Sequence, residues 1–301
     1  MTVLMGPADA DAWRVSKGWQ RFYTDPLPGC DIAPESEADY PSISAVKKAE
    51  GQDWSRVSLK RVADASDNDW ATMASLPPAR RLDAMNSINK YGLDLAAGRG
   101  TIIHLWGEDL LDGKEPREFD PMDLAALGVS YESLQLALKY KAALIDFFES
   151  YQPRLVAKEF PVIHRTLNGV GYGGTPDGIW YLDNPPPGKS VGPWAFDYKT
   201  RTVNGKQHAA YPEEAEQIAA GATAEYMAIE DPDTGQARRV RIPELAGGMV
   251  VSIKPDGARV FPIDLEKAAD GWRSRHARYV KKLTERESIG RVWPIWNGGG
   301  K

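Results

Sequence analysis

The sequence predicts an α/β (α+β) protein, with a central mixed sheet flanked by helices and a helical region ahead of it. Three observations predict this. Apolar residues recur at helical spacing from about Tyr40 to Ser150. Beyond Pro153 the pattern changes to short apolar runs broken by glycine and proline. A helix of small residues, a hairpin and a basic helix then follow in that order.

Residues 1–40 are rich in Pro, Asp and Gly and read as an extended N-terminal arm. "YPSISAVKKAEG" opens the first helix, with Ser42 or Ser44 as its cap. "PPARRLDAMNSINKYGLDLAAG" starts on prolines and is expected to stop at Gly98. "RGTIIHLWGEDLLDGKEP" places Ile103, Trp106, Leu110 and Leu111 on one helical face. "SYESLQLALKYKAALIDFFESYQP" is amphipathic, opens at Ser130 and ends before Pro153. Three strands are expected next, in "LVAKEFPVIHR", "VGYGGTPDGIWYL" and "WAFDYKT". "YPEEAEQIAAGATAEYMAIE" reads as one helix, and "GGMVVSIKPDGARVFPID" as a hairpin turning at Pro255-Asp256-Gly257. The last basic helix spans roughly 264–286, ahead of a tail at 291–301. The domain reading is therefore an arm (1–40) and one domain over 41–290. That domain has a helical part (41–150), a sheet core (151–264) and the basic helix.

Composition sets limits. A chain of 301 residues with 42% hydrophobic and 26% charged residues can bury a sizeable core. Its single cysteine, Cys30, excludes a disulfide framework and any self-contained multi-cysteine zinc or iron–sulfur site. No basic start leads into an apolar run, and no stretch nears the roughly 18 apolar residues of a membrane span. The expectation is a soluble, cytoplasmic protein with no membrane partner. A net charge of −5 speaks against wholesale nucleic-acid binding, yet the runs from Lys47 to Ala63 and from Arg273 to Arg286 are basic. Either run is ordinarily a solvated helix face, but an acidic total coexists with a local cationic groove because charge is screened within about 10 Å. "GVGYGG" opens no helix and no Walker A pattern occurs, so neither a phosphate loop nor a motor is expected.

The chemistry-bearing stretch is "GGTPDGIWYLDNPPPGKSVGPWAFDYKT". Alternation along a strand sends Trp194, Phe196 and Tyr198 one way and Ala195, Asp197 and Lys199 the other. Antiparallel pairing through "DNPPPGKS" brings Asp177 beside that charged face. Gly173, Gly174 and Pro176 weaken regular pairing and open space for a ligand. Two carboxylates and a lysine suit Mg²⁺ or Mn²⁺, although the same spacing fits a surface Asp–Lys pair beside an unrelated Asp.

The pattern "GGTPDGI…AFDYKT", followed by Gln217 in "EEAEQIAA", resembles the RecB-type branch of the PD-(D/E)XK nucleases. "PSISAVKKAEG", "AAGRGTIIHLWGEDLLDG" and "YQPRLVAKEFPV" precede it in the family's order, so the match runs from about Tyr40 to Ile229. It is similar to the phage and CRISPR-associated exonucleases of that branch. The resemblance implies a restriction-endonuclease-like core. It implies metal ligands at His104, Asp177, Asp197 and the Tyr198 carbonyl, a catalytic Lys199, and the motif glutamine at Gln217. The histidine points toward Mn²⁺ as well as Mg²⁺. Two departures stand out: the motif tyrosine position holds Gly221, with Tyr226 or Tyr211 as substitutes, and no iron–sulfur cluster is expected.

Around that set, Glu159 reads as a second-metal ligand, a supporting acid or a solvent-facing strand residue. Arg99 leans to phosphate, and Lys47, Lys48, Arg273 and Arg275 are DNA-contact candidates. His164, His208 and His276 have no spacing that suggests chemistry. Trp106, Trp194 and Trp272 read as core. The resulting expectation is a DNA exonuclease leaving 5′-phosphates in phage or bacterial recombination or repair. A recombinase or annealing protein is its implied partner, and an oligomer is allowed. A structure- or sequence-selective endonuclease, and a non-catalytic DNA-binding protein on the same fold, are the alternatives.

Overall fold

The computed structural model describes residues 12–17, 20–33, 38–49, 55–201, 210–231 and 233–288. The expected tail at 291–301 and His208 lie outside them.

Strands β1 (Arg14–Lys17), β2 (Gln20–Tyr23) and β3 (Tyr40–Pro41) form a small antiparallel sheet. Of the segment read as an arm, residues 1–11, 18–19 and 34–37 lie outside the described residues; the described part carries this sheet and docks through Trp13, Tyr23 and Tyr40 onto Ile163 and Tyr226. Seven helices follow: α1 (Ile43–Ala49), α2 (Ser55–Ala63), α3 (Asp67–Ser75), α4 (Pro78–Leu111), α5 (Pro121–Ala126), α6 (Tyr131–Leu138) and α7 (Lys141–Tyr151). Ser42 caps α1, its Oγ accepting from Ala45 N at 3.0 Å.

Two helix boundaries ahead of the main sheet depart from expectation. Gly98 does not stop its helix; α4, 34 residues in all, runs on to Leu111. The glycine is there for space, since a Cβ would lie 2.6 Å from Ser133 Oγ where α6 crosses. The amphipathic run from Ser130 is two helices, parted at Lys139 and Tyr140.

The strands are β4 (Arg154–Lys158), β5 (Val162–His164), β6 (Tyr172–Gly174), β7 (Gly178–Leu182) and β8 (Gly192–Thr200). After α8 (Pro212–Ala222) come β9 (Tyr226–Glu230), β10 (Ala237–Val240), β11 (Gly247–Lys254), β12 (Gly257–Ile263) and α9 (Leu265–Ser288). Two of the three expected strands each break in two, and the halves join different sheets. β4 and β7 belong to a five-stranded mixed sheet ordered β12-β11-β8-β7-β4, β5 and β6 to an antiparallel sheet ordered β10-β9-β5-β6. Prolines stand in both breaks, Pro161 and Pro176, where a missing N–H ends a ladder cleanly. The helix expected through Glu230 ends at Ala222, because Tyr226–Glu230 is drawn into pairing between β5 and β10. The hairpin β11–β12 forms as expected.

The five-stranded sheet is covered on both faces. Trp180, Trp194, Phe196, Tyr198 and Val251 pack against Ile102, Ile103 and Trp106 of α4 and Leu144 and Phe147 of α7. Burying one such aromatic contributes roughly 1.5–3 kcal/mol. Ala195 and Val250 meet Ile218 of α8 on the other face. Trp106, Trp194 and Trp272 are each only 1% exposed, as core residues should be.

Candidate active site

The aromatic–charged alternation of β8 is realised. Its aromatic face builds the core, which leaves Asp197 and Lys199 on the α8 side. β7 pairs antiparallel with β8, Gly178 opposite Phe196, so Asp177 stands just off the end of β7 beside the charged pair. Tyr198 N–H donates to Asp177 Oδ2 at 2.9 Å. The main chain of Tyr198 thus holds one acid of the site in place.

Five segments of the chain converge here. His104, on the half-buried flank of α4, brings Nε2 to 3.8 Å from Asp177 Oδ2 and sets its ring edge-on to Tyr198. Asp197, with its side chain 3% exposed, contacts the Lys199 ammonium through Oδ2. Its Oδ1 accepts from Gln217 Nε2 at 3.0 Å, and Gln217 Oε1 accepts from Lys47 Nζ at 2.5 Å. Sequence reasoning placed Gln217 near the site but nominated Lys47 only as a DNA contact.

Electrostatics mark the pair of acids. Burial, then the charge of Asp197, pushes the Asp177 carboxyl above the usual carboxylate range, with His104 and Lys199 opposing. For Lys199, burial opposes the charge, but Asp197 and Asp177 outweigh it and hold the ammonium above its ordinary value. Burial and then Lys199 itself pull Lys47 down.

Further along α4, one turn beyond His104, Glu108 faces Lys158 at 3.6 Å, and burial raises its carboxyl. The sequence reading missed this pair, although the His104–Glu108 spacing of four was the available signal. Glu159 is exposed, takes a left-handed backbone (φ 44), and donates its N–H to the Asp177 carbonyl at 3.1 Å.

The remaining nominated residues lie away from the two acids or are engaged elsewhere. Arg99 is buried, donates to Thr200 Oγ1 at 3.2 Å and lies over the Tyr140 ring. Lys48 is exposed. On α9, Arg273 pairs with Asp270, and Arg275 is buried against Glu216. Position 221 has no room for the motif tyrosine, since a Cβ there would sit 2.6 Å from Pro176 Cγ. Tyr226 is committed to Asp25, and Tyr211 precedes α8 with Arg201 stacked on its ring. A Cβ on Gly173 or Gly174 would meet Tyr23 or Ile43. Gly174 and Pro176 nonetheless line a cavity of about 80 Å³ together with Arg14, Arg21, Tyr23, Ser42, Thr175 and Gln217, with no carboxylate among its lining residues.

Among the described residues, no three His, Cys, Asp or Glu side chains are grouped closely enough to hold a metal ion as they stand. The donor chemistry nonetheless fits a hard divalent cation. Two carboxylates lie near each other at the site, one resisting ionisation through burial and then the charge of the other, and a cation between them would relieve both.

No protein-family model matches the chain, and no curated protein sequence matches it. Among solved structures the chain is similar to the crystal structure of SSO0001, at 12% identity over 64% of this chain and 75% of that one. The TM-score is 0.26, too loose a likeness to carry any argument. What is established is a mixed α/β fold with a five-stranded sheet between helices.

Proposed function

We propose that this chain is a metal-dependent deoxyribonuclease with a PD-(D/E)XK core, acting as an exonuclease. One observation carries the reading: Asp177, Asp197, Lys199, Gln217 and His104 converge at one end of the mixed sheet from α4, β8, α8 and the lead into β7. A merely structural Asp–Lys pair does not require a second acid whose ionisation the first one opposes.

His104, Asp177 and Asp197 would hold Mg²⁺ or Mn²⁺, with the Tyr198 carbonyl and Glu159 as further candidates. Bound there, such an ion polarises a phosphoryl oxygen and lowers the pKa of water. The chain's own groups do the rest. Lys199 is held protonated by both acids and donates to oxygens that gain charge as the phosphodiester is attacked. Gln217 orients Asp197, and Tyr198 N–H orients Asp177. The cavity beside Gln217, with two arginines and several hydroxyls, suits a phosphate-bearing strand. No helix among the described residues is long and apolar enough to cross a membrane.

The test uses end-labelled linear duplex, linear single strand and closed circular DNA, each with Mg²⁺, Mn²⁺ or EDTA, beside Lys199→Ala. Loss of linear DNA only, dependent on metal and abolished in the variant, is the expected outcome. Cut circles would make the chain an endonuclease. Binding without cleavage under either metal would overturn the reading.

A further inference from the structure

The Lys47 ammonium reaches the site through Gln217, yet the mechanism above gives it no task. Lys47, Gln217, Asp197 and Lys199 form a continuous line of contacts drawn from α1, α8 and β8. The amide in its middle is the ambiguous member. A carboxamide has nearly the same shape with oxygen and NH₂ exchanged, so its orientation depends on its neighbours. An ammonium can only donate and a carboxylate can only accept. Lys47 therefore takes the amide oxygen and leaves the NH₂ for Asp197.

We propose that Lys47 is a positioning residue of the catalytic centre, holding the Gln217 amide so that it donates to Asp197. The proposal rests on the nuclease reading of the site for its purpose, but not for its geometry. Its neighbour Lys48, by contrast, is exposed. Lys47 is also costly where it stands. Burial and the nearby Lys199 oppose its charge, while Asp197, Glu214 and Glu213 favour it. A surface lysine serving only to attract DNA has no need of such a place.

The experiment has two arms. In ¹⁵N-labelled protein without DNA or metal, the Gln217 side-chain NH₂ signal is identified by its loss in Gln217→Leu. It should move or broaden in Lys47→Met, which keeps the stem and removes the donor, and return close to its native position in Lys47→Arg. An unmoved Gln217 signal in Lys47→Met overturns the proposal, with thermal melts confirming that each variant folds. In the second arm, Lys47→Met should lower kcat about tenfold, the worth of one charged hydrogen bond, with KM and salt dependence unchanged. Adding Gln217→Leu should then cost less than about twofold more, because the two residues act through one path. Fully additive losses, with the salt slope reduced by about one, would make Lys47 a direct phosphate contact and overturn the positioning role. A wild-type protein that cuts no DNA would sink the nuclease reading, while the first arm still decides what Lys47 does.

Discussion

The molecule buries carboxylates in two ways. Asp25, where the N-terminal sheet docks, is saturated: Oδ2 accepts from Arg239 Nε at 2.5 Å and Tyr226 OH at 2.6 Å, and Oδ1 accepts from Leu27 N at 3.0 Å. Arg239 spends its remaining donors on the Leu27 and Pro28 carbonyls. Asp177 instead feels the charge of Asp197, and burial together with that neighbour makes Asp177 resist ionisation. The first arrangement is a finished structural lock. In the second, Lys199 and Gln217 serve Asp197 and the Tyr198 N–H serves Asp177, yet Asp177 still resists ionisation, a cost a fold keeps where a ligand or a reaction offsets it.

That contrast can be broken from either side. Arg239→Ala leaves the Asp25 charge buried and unpaired, and should cost about 3–5 kcal/mol of stability in urea melts while a refolded fraction keeps its specific activity. Lys199→Ala should do the reverse, lowering cleavage about 10²–10³-fold in single-turnover assays with little change in melting. Restoring the motif tyrosine, Gly221→Tyr, drives a side chain into Pro176 and should lose about 1–3 kcal/mol without improving activity. The smallest effect should be the most telling. Asp177 binds its proton more tightly folded than unfolded, so its penalty is absent below the ordinary carboxylate range. Stability is then lost as pH rises through the raised folded value. In EDTA, Asp177→Asn should abolish that fall and gain about 1 kcal/mol near neutral pH. Mg²⁺ or Mn²⁺ should raise the melting temperature of the wild type and not of the variant. Equal stabilisation of both would remove Asp177 from the metal site.

Much of this was legible because it is local. The alternation of "WAFDYKT" placed Asp197 and Lys199 on one face, and the proline turn before it brought Asp177 alongside. What was illegible depended on tertiary demand. Nothing within "LVAKEFPVIHR" says that its two ends join different sheets, and Tyr226–Glu230 becomes a strand only because β5 and β10 need a partner. Gly98 looks like a helix stop until Ser133 is seen packed on it. Lys47 shows the same limit at the site: one of two adjacent lysines reaches Gln217, and only the docking of α1 decides which.

The close approach of the N-terminal sheet has a consequence for how this sequence can change. Tyr23 OH meets Thr175 Oγ1 at 2.9 Å, Arg14 donates to the same oxygen at 3.3 Å, and Tyr23 lies where a Cβ on Gly173 would fall. Only Pro176 separates Thr175 from Asp177. Arg14 and Tyr23 on one side and residues 173–175 on the other are therefore able to diverge only together, as a lock and its key must. A chimaera that exchanges the first forty residues for those of a relative will need the relative's version of "GGT" as well.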